Sequence, residues 1–399
     1  MLCSDSSLDQ YFTLGSVSDH LVKMFDSPGA STILDLGAGG GALSAAAVRR
    51  WSGASITTVD IDRRVAGFLS ETLQISPNAR HIHHVADALD HDLPSVMNGE
   101  EFELAICNPP YSRIPWRDGF DHIISEAGLS ELHAVSKEFL TSDVLFLAQI
   151  LRLAKPGAEI GLIVPDGLIS GLRMRPIREA LMRRTDIRRV VELPRGSFKG
   201  TEAQAHVVVL RNAPPSGNSI SIGRLDRTDT CSTLSIEPSR AVERLDWAYY
   251  SGEQSQGQTT LASLGAEIRR GNISSVEIKG VAGTVFHTTD FLTKHQYALE
   301  LPQQEEYPAG CVLAQAGDIL LARVDRKLET KICLVASGTA ALSDCILRIR
   351  LPESIRNRVF AFLVSQQGRE ALYRTSRGVG ARMLSKAALL GMELQLDDH

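Results

Sequence analysis

Cysteine is scarce and poorly spaced for chemistry. The six, at positions 3, 107, 231, 311, 333 and 345, form no CxxC pair and have no histidine at a matching interval. That excludes a zinc knuckle and a disulfide framework and leaves reduced, structural thiols. Long apolar runs are missing as well, since no stretch reaches the about 18 unbroken apolar residues of a membrane helix. Met1-Leu2-Cys3-Ser4-Asp5 lacks a basic start and an apolar core. A soluble, cytoplasmic protein with no membrane association is expected. Charge is nearly balanced, 42 basic against 47 acidic residues, so this is no bulk polycation. His81, His83 and His84 form the one histidine cluster, but they alternate as on a strand, and no metal site is expected.

What is present is enough apolar material, 43% of 399 residues, for two separate cores. One stretch carries chemistry. Phe102, Leu104, Ala105 and Ile106 read as a short buried strand, and it stops at Asn108-Pro109-Pro110-Tyr111. Two consecutive prolines end any ladder or helix, so Asn108 and Tyr111 are displayed on a stiff turn at a strand end. An exocyclic amine on an aromatic ring is a poor nucleophile because its lone pair is delocalised. The Asn108 side-chain carbonyl and the Pro109 backbone carbonyl can accept from such an NH2 and draw that lone pair out of conjugation. Tyr111 offers a flat face to a planar base. A proline turn with a capping Asn is the plainer alternative.

Upstream, Ser16 to Phe25 is amphipathic, with Val17, Leu21, Val22 and Phe25 on one face. Thr32 to Leu36 is a strand that includes Asp35 and runs into Gly37-Ala38-Gly39-Gly40-Gly41, followed by an Ala-rich helix from Ala42 to Trp51. Strand, glycine loop and helix together let backbone N–H groups approach a ligand closely. The next strand, Ser55 to Val59, ends in Asp60, about 20 residues on, where a carboxylate can bind a ribose diol. Gly37-x-Gly39-x-x-Ala42 also fits a dinucleotide fingerprint, so the loop alone leaves nicotinamide binding open. A third strand, His81 to Val85, leads to Asp87, a carboxylate placed to accept from an adenine amino group.

Four successive strand ends thus carry Gly37 to Gly41, Asp60, Asp87 and Asn108. This order resembles the S-adenosylmethionine-dependent DNA adenine-N6 methyltransferases whose recognition domain follows the catalytic one, the gamma-type motif order. Gln10-Tyr11-Phe12-Thr13 is similar to that family's N-terminal cofactor motif, with Leu14 where a Pro is usual. The resemblance implies S-adenosylmethionine held by Thr13, Asp35, Gly37, Gly39, Gly41, Asp60, Asp87 and Asn108. It implies catalysis at Asn108, Pro109, Pro110 and Tyr111, with Phe198 packing on a flipped base unless it is simply a core Phe. The fold implied is α/β: a Rossmann-like, doubly wound methyltransferase sheet of about seven strands plus a C-terminal α+β target-recognition domain. Ser142 to Leu153, with Val144, Leu147, Ala148 and Leu151 on one stripe, then the strand Glu159 to Pro165, Val190 to Pro194 and His206 to Arg211 complete the sheet.

Between Arg173 and Lys199 nine basic residues stand against three acidic ones, a band along which a phosphate backbone can lie or which is simply a solvated face. Arg173 and Arg175 are candidates for DNA contact, as are Arg113 and Arg117 in the irregular stretch after the proline turn. Asn212-Ala213-Pro214-Pro215-Ser216-Gly217 marks a break. The division expected is 1–212 catalytic, 213–254 linker or bridge, and 255–399 recognition.

The tail contains Gly317-Asp318-Ile319-Leu320-Leu321, a turn feeding a strand, and Ile346-Leu347-Arg348-Ile349-Arg350, whose alternation predicts a half-exposed strand with basic side chains. It is similar to one recognition domain of type I restriction specificity subunits, which implies a DNA-facing loop holding Arg323, Arg326, Lys327 and Lys331. Glu277-Ile278-Lys279 is a bare E-x-K with no partner strand ending in Asp, so no nuclease is expected on this chain.

The expected function is site-specific methylation of adenine N6 in double-stranded DNA within a restriction or related defence system. The partners are that DNA and a separate endonuclease, a second recognition subunit or a second copy. Protein-glutamine or ribosomal-RNA guanine methylation uses the same amine chemistry, and a non-catalytic DNA-binding or assembly subunit is the alternative of a different class.

Overall fold

In the computed structural model the described residues are 15–73, 79–194, 196–198, 204–226, 228, 230–251, 259–281, 283–291, 297–303, 307–378 and 380–396. Gln10 to Thr13, Arg195 and Lys199 lie outside them. Two compact units are present, Met1–Trp247 and Ala248–His399.

The first unit is built on a nine-stranded sheet. Its strands are β1 (Thr32–Leu36), β2 (Ser55–Asp60), β3 (His81–Val85), β4 (Phe102–Cys107), β5 (Ala154–Pro165), β6 (Asp186–Glu192), β7 (Ala205–Arg211), β8 (Ile220–Leu225) and β9 (Cys231–Ile236). Their spatial order is β3-β2-β1-β4-β5-β7-β6-β8-β9. β1 to β5 run parallel, whereas β7 and β9 run against their neighbours. The chain reverses its direction of strand addition between β1 and β4, and at such a switch point the carboxyl edge of an open sheet leaves a crevice.

Helices cover both faces: α1 (Gly15–Lys23), α2 (Ala42–Arg50), α3 (Val65–Thr72), α4 (Leu93–Val96), α5 (Phe120–Glu126), α6 (Ser142–Leu153), α7 (Asp166–Ser170) and α8 (Arg175–Arg184). With both faces covered, β1, β2 and β4 are buried almost throughout, as their continuous apolar runs require. Val17, Leu21, Val22 and Phe25 all enter one core with Ile33, Ile56, Leu104 and Ile106. α6 is more deeply set than one apolar stripe predicts: every residue but Arg152 is buried, because α5 packs over its second side.

Residues 213–254, expected as linker or bridge, supply β8 and β9, and the first unit continues to Trp247. The buried Arg178 guanidinium ties this stretch down by donating to the carbonyls of Val242 and Glu243 as well as Leu168 and Gly171. The sheet therefore has nine strands, not about seven.

The second unit is β-rich. A five-stranded sheet orders Glu267–Arg270, Ile346–Arg350, Ile319–Ala322, Ile332–Ser337 and Ala298–Glu300, and a three-stranded one orders Val285–Phe286, Thr339–Leu342 and Leu313–Gln315. Helices Glu353–Val364 and Gln366–Thr375 close its core through Val359, Leu363 and Leu372. Ile346–Arg350 is a central strand, so the half-exposed reading fails. Arg348 is 5% exposed, and Arg350 pairs with the buried Asp318 at 2.7 Å. Among the described residues no helix is long and apolar enough to cross a membrane, and the five described cysteines are all unbridged.

Candidate active site

The switch point is flanked by the glycine loop after β1 and the proline turn after β4. Residues 37 to 41 fold back on the end of β2: the N–H groups of Gly37 and Ala38 both donate to Val59 O, at 2.8 and 3.1 Å. Gly41 has φ +77°, a left-handed backbone that favours glycine, and a Cβ there would sit 2.7 Å from the Leu69 side-chain tip, which would have to shift. Gly39, at φ +50°, has no heavy atom within 4 Å of where a Cβ would be, which leaves the loop's outer side open to a ligand.

Asp60 fixes that loop. Its Oδ2 accepts from Gly39 N at 2.8 Å and its Oδ1 from Asp62 N at 2.9 Å, which aims the carboxylate and leaves a lone pair on each oxygen for a diol. Beside it Ile61 is 56% exposed, an apolar wall at the strand edge that sequence reasoning overlooked. The only signal for it was an aliphatic residue directly following a strand-end acid.

Asp35 lies beneath the loop and is 1% exposed. Its Oδ2 accepts from Ser44 Oγ at 2.5 Å, but its buried Oδ1 has no partner. Burial is the main cause that pushes this carboxyl up from 3.8 to about 7. An orphaned carboxylate oxygen, an open glycine loop and an aimed Asp60 together form a cradle for a polar ligand bearing a diol and a positive charge. S-adenosylmethionine has both features, so the residues present fit it.

Asp87 has a partner on each carboxylate oxygen. Its Oδ1 accepts from Leu89 N, and its Oδ2 receives the Arg117 guanidinium at 2.7 Å. Arg117 also lies 4.9 Å from the Phe120 ring centroid, so its guanidinium is oriented by both neighbours while its side chain stays about half exposed.

In the proline turn, Pro109 is buried and Asn108 and Tyr111 are half-buried. The Tyr111 hydroxyl lies 2.9 Å from Asn108 Oδ1 and 3.1 Å from Ile163 O. Its ring packs against the same core to which Phe198, 5% exposed, belongs. Phe198 is thus a core residue in this structure. Cys107, just before the turn, donates to Leu36 O at 2.9 Å, which links the strand ends carrying the two loops. Burial, with Asp35 and Asp143 nearby, drives its thiol well above the usual range, so it stays a neutral structural group.

The basic band is largely consumed by internal contacts. Arg175 pairs with Glu243 at 2.7 Å, Arg188 with Asp186 and Arg189 with Asp26, while Arg184 donates to Ala127 O and Asn212. Arg173 stacks over Phe139. Arg113 is exposed and meets no partner among the described residues. In the second unit Arg323 donates to Asp344 O and Lys331 pairs with Asp325, whereas Arg326 and Lys327 are exposed with unpaired side chains among the described residues. His81 and His83 both reach the Thr58 hydroxyl at 2.9 Å, a local network in place of the solvent-facing alternation expected.

The type II methyltransferase M.BsuBI of Bacillus subtilis is 27% identical over 206 residues, 47% of this chain and 40% of that protein. A tRNA1(Val) (adenine(37)-N6)-methyltransferase of Shewanella halifaxensis is 29% identical over 184 residues, 45% of this chain and 67% of that protein. This chain therefore spans only two fifths of the Bacillus protein's length. Among solved structures the type IIG restriction endonuclease BpuSI has a TM-score of 0.54 at 13% identity, covering 96% of this chain and 58% of that one, a likeness of fold alone. The family model described as N-6 DNA Methylase matches residues 3–223, more than half of the chain, and takes in the glycine loop, Asp60, Asp87 and the proline turn. With those elements gathered at one sheet edge, the chain belongs to the N-6 DNA Methylase family.

Proposed function

We propose that the chain is a site-specific DNA methyltransferase that moves a methyl group from S-adenosylmethionine to N6 of an adenine in duplex DNA, as part of a restriction-modification or related defence system. One observation carries this reading: the Asn108 and Pro109 acceptors stand across the switch point from a glycine loop backed by an orphaned carboxylate oxygen. The bound donor supplies an electrophilic sulfonium methyl.

The remaining work falls to the chain's own residues. The glycine loop and Asp60 hold the donor's ribose end, Ile61 covers its base, and Asp87, oriented by Arg117, accepts from that base's amino group. The target adenine leaves the helix stack at a cost of a few kcal/mol. Asn108 Oδ1 and Pro109 O then accept from its NH2, which directs the nitrogen lone pair toward the donor's methyl position. Tyr111 keeps Asn108 in place. Thr13 completes the cofactor site in this reading.

The second unit, 248–399, recognises the DNA sequence in the manner of a type I specificity domain. A single such unit reads one contiguous half-site, so a second copy or recognition subunit pairs with it. M.BsuBI is named as a type II methyltransferase and BpuSI as a type IIG restriction endonuclease, names that agree with this setting. The likeness to tRNA adenine-N6 methyltransferases makes RNA the second substrate class to be tested.

Genomic DNA sequenced from cells with and without the protein tests the proposal, with N6-methyladenine expected at one short sequence only where the wild-type chain is present. Methyl transfer to RNA or protein but not to duplex DNA overturns it, and so does an Asn108→Ala chain that modifies adenine at the wild-type rate.

A further inference from the structure

Ser142 opens α6 and is completely buried. Its hydroxyl does not serve that helix. The residue in the capping position is Thr141, whose side chain makes no capping bond. Ser142 Oγ lies 2.5 Å from Pro110 O and 2.9 Å from Ser112 O, and it accepts from Ser112 N at 3.2 Å. Its backbone N–H donates to Ser112 O at 3.2 Å.

A serine hydroxyl has one proton and two lone pairs. The proton goes to the nearer acceptor, Pro110 O, and a lone pair takes the Ser112 N–H. One side chain thus grips the catalytic turn on both sides of Tyr111, across 30 and 32 residues of chain.

The grip bears on the reacting groups through backbone geometry. The carbonyls of Pro109 and Pro110 lie in adjacent peptide planes, related only by φ and ψ of Pro110. The pyrrolidine ring fixes that φ. That leaves ψ of Pro110 as the one free torsion, and the bond from Ser142 Oγ to Pro110 O, with Ser112 held on the far side of Tyr111, restricts it, so the direction in which Pro109 O can point is restricted as well.

We infer that Ser142 is a positioning residue of the transfer reaction. It consumes one prolyl carbonyl so that the preceding one, Pro109 O, faces the substrate amine beside Asn108 Oδ1. This rests on the methyl-transfer function proposed above.

The test uses the full chain with Ser142→Ala and Ser142→Thr. Three quantities are compared with wild type: Kd for S-adenosylmethionine by calorimetry, Kd for a duplex carrying the modified sequence with 2-aminopurine at the target, and the single-turnover transfer rate on the adenine duplex. Ser142→Ala is expected to lower the rate about 30-fold, as a slight misplacement of an acceptor does, with both Kd values within about twofold of wild type. Ser142→Thr, which keeps the hydroxyl, is expected to restore the rate to within about threefold. An unchanged rate in Ser142→Ala overturns the inference, and so does a rate loss matched by equal losses in both affinities. A well-folded Ser142→Thr chain that stays as slow as Ser142→Ala also overturns it; should Ser142→Thr not fold, the split between rate and affinity in Ser142→Ala decides alone. A wild-type chain that binds the donor but methylates no DNA instead removes the parent reading, and this one with it.

Discussion

The Tyr111 hydroxyl donates to Asn108 Oδ1 over 2.9 Å, so the last residue of the proline turn orients the first. The Tyr111 hydroxyl oxygen also lies 3.1 Å from Ile163 O at the end of β5, a second acceptor for the same proton. Tyr111→Phe keeps the ring and loses the bond. Turnover is expected to fall about tenfold with donor affinity unchanged, at a stability cost of about 1 kcal/mol. Steady-state kinetics beside calorimetry distinguish this from a pure stacking role, which the Phe variant would preserve.

Asn108→Ala removes one of the two acceptors outright. The transfer rate should drop by about 10²–10³ while S-adenosylmethionine still binds, because a preorganised acceptor acts on charge that develops only during transfer. Equilibrium dialysis with the labelled donor checks the second half of that statement. Loss of binding equal to the loss of rate would show Asn108 to be a cofactor residue alone.

Asp60→Ala should act in the opposite way, through binding. It deprives Gly39 N and Asp62 N of their acceptor, so the loop loosens and the donor's Kd rises by about tenfold or more. A Kd within twofold of wild type would remove Asp60 from the cofactor site.

Asp35 gives a pH signature. Its carboxyl is raised from 3.8 to about 7 by burial. Between those values the folded chain keeps a proton that the unfolded chain has released, so stability falls as pH rises through this window and levels off above it. The loss is on the order of 2–4 kcal/mol across the window. Asp35→Asn should flatten the slope of thermal midpoint against pH. It should also abolish a tightening of donor binding from pH 6 to pH 8 that the wild-type carboxylate is expected to show as it becomes charged. The slope is the diagnostic, since Asn leaves its own N–H buried.

DNA grip should follow the cations that have no internal partner. The double variant Arg326→Ala, Lys327→Ala is expected to weaken DNA binding and to lower the slope of log affinity against log salt by about two. Arg175→Ala, which breaks an ion pair with Glu243, should change that slope little. Filter binding across a salt series reads both. Equal effects from all three positions would restore the basic band to the DNA interface.

The amino-acid sequence by itself determined what is local. β1 with its glycine loop, β2 ending in Asp60 and β4 ending in the proline turn are written in short apolar runs stopped by residues with particular backbone demands. These do not depend on the rest of the chain. The tertiary structure alone decided which side chains were left over. Arg178 looks like one charge in a basic band until the carbonyls of Val242 and Glu243, more than sixty residues away, accept from its guanidinium. Arg348 looks half-exposed until strands on both sides cover it. Ser142 looks like a helix start until Pro110 and Ser112 claim its hydroxyl. A hydrogen-bond donor or a charge seeks whatever acceptor the fold brings near, and that choice is made in space, where separation along the chain leaves no mark.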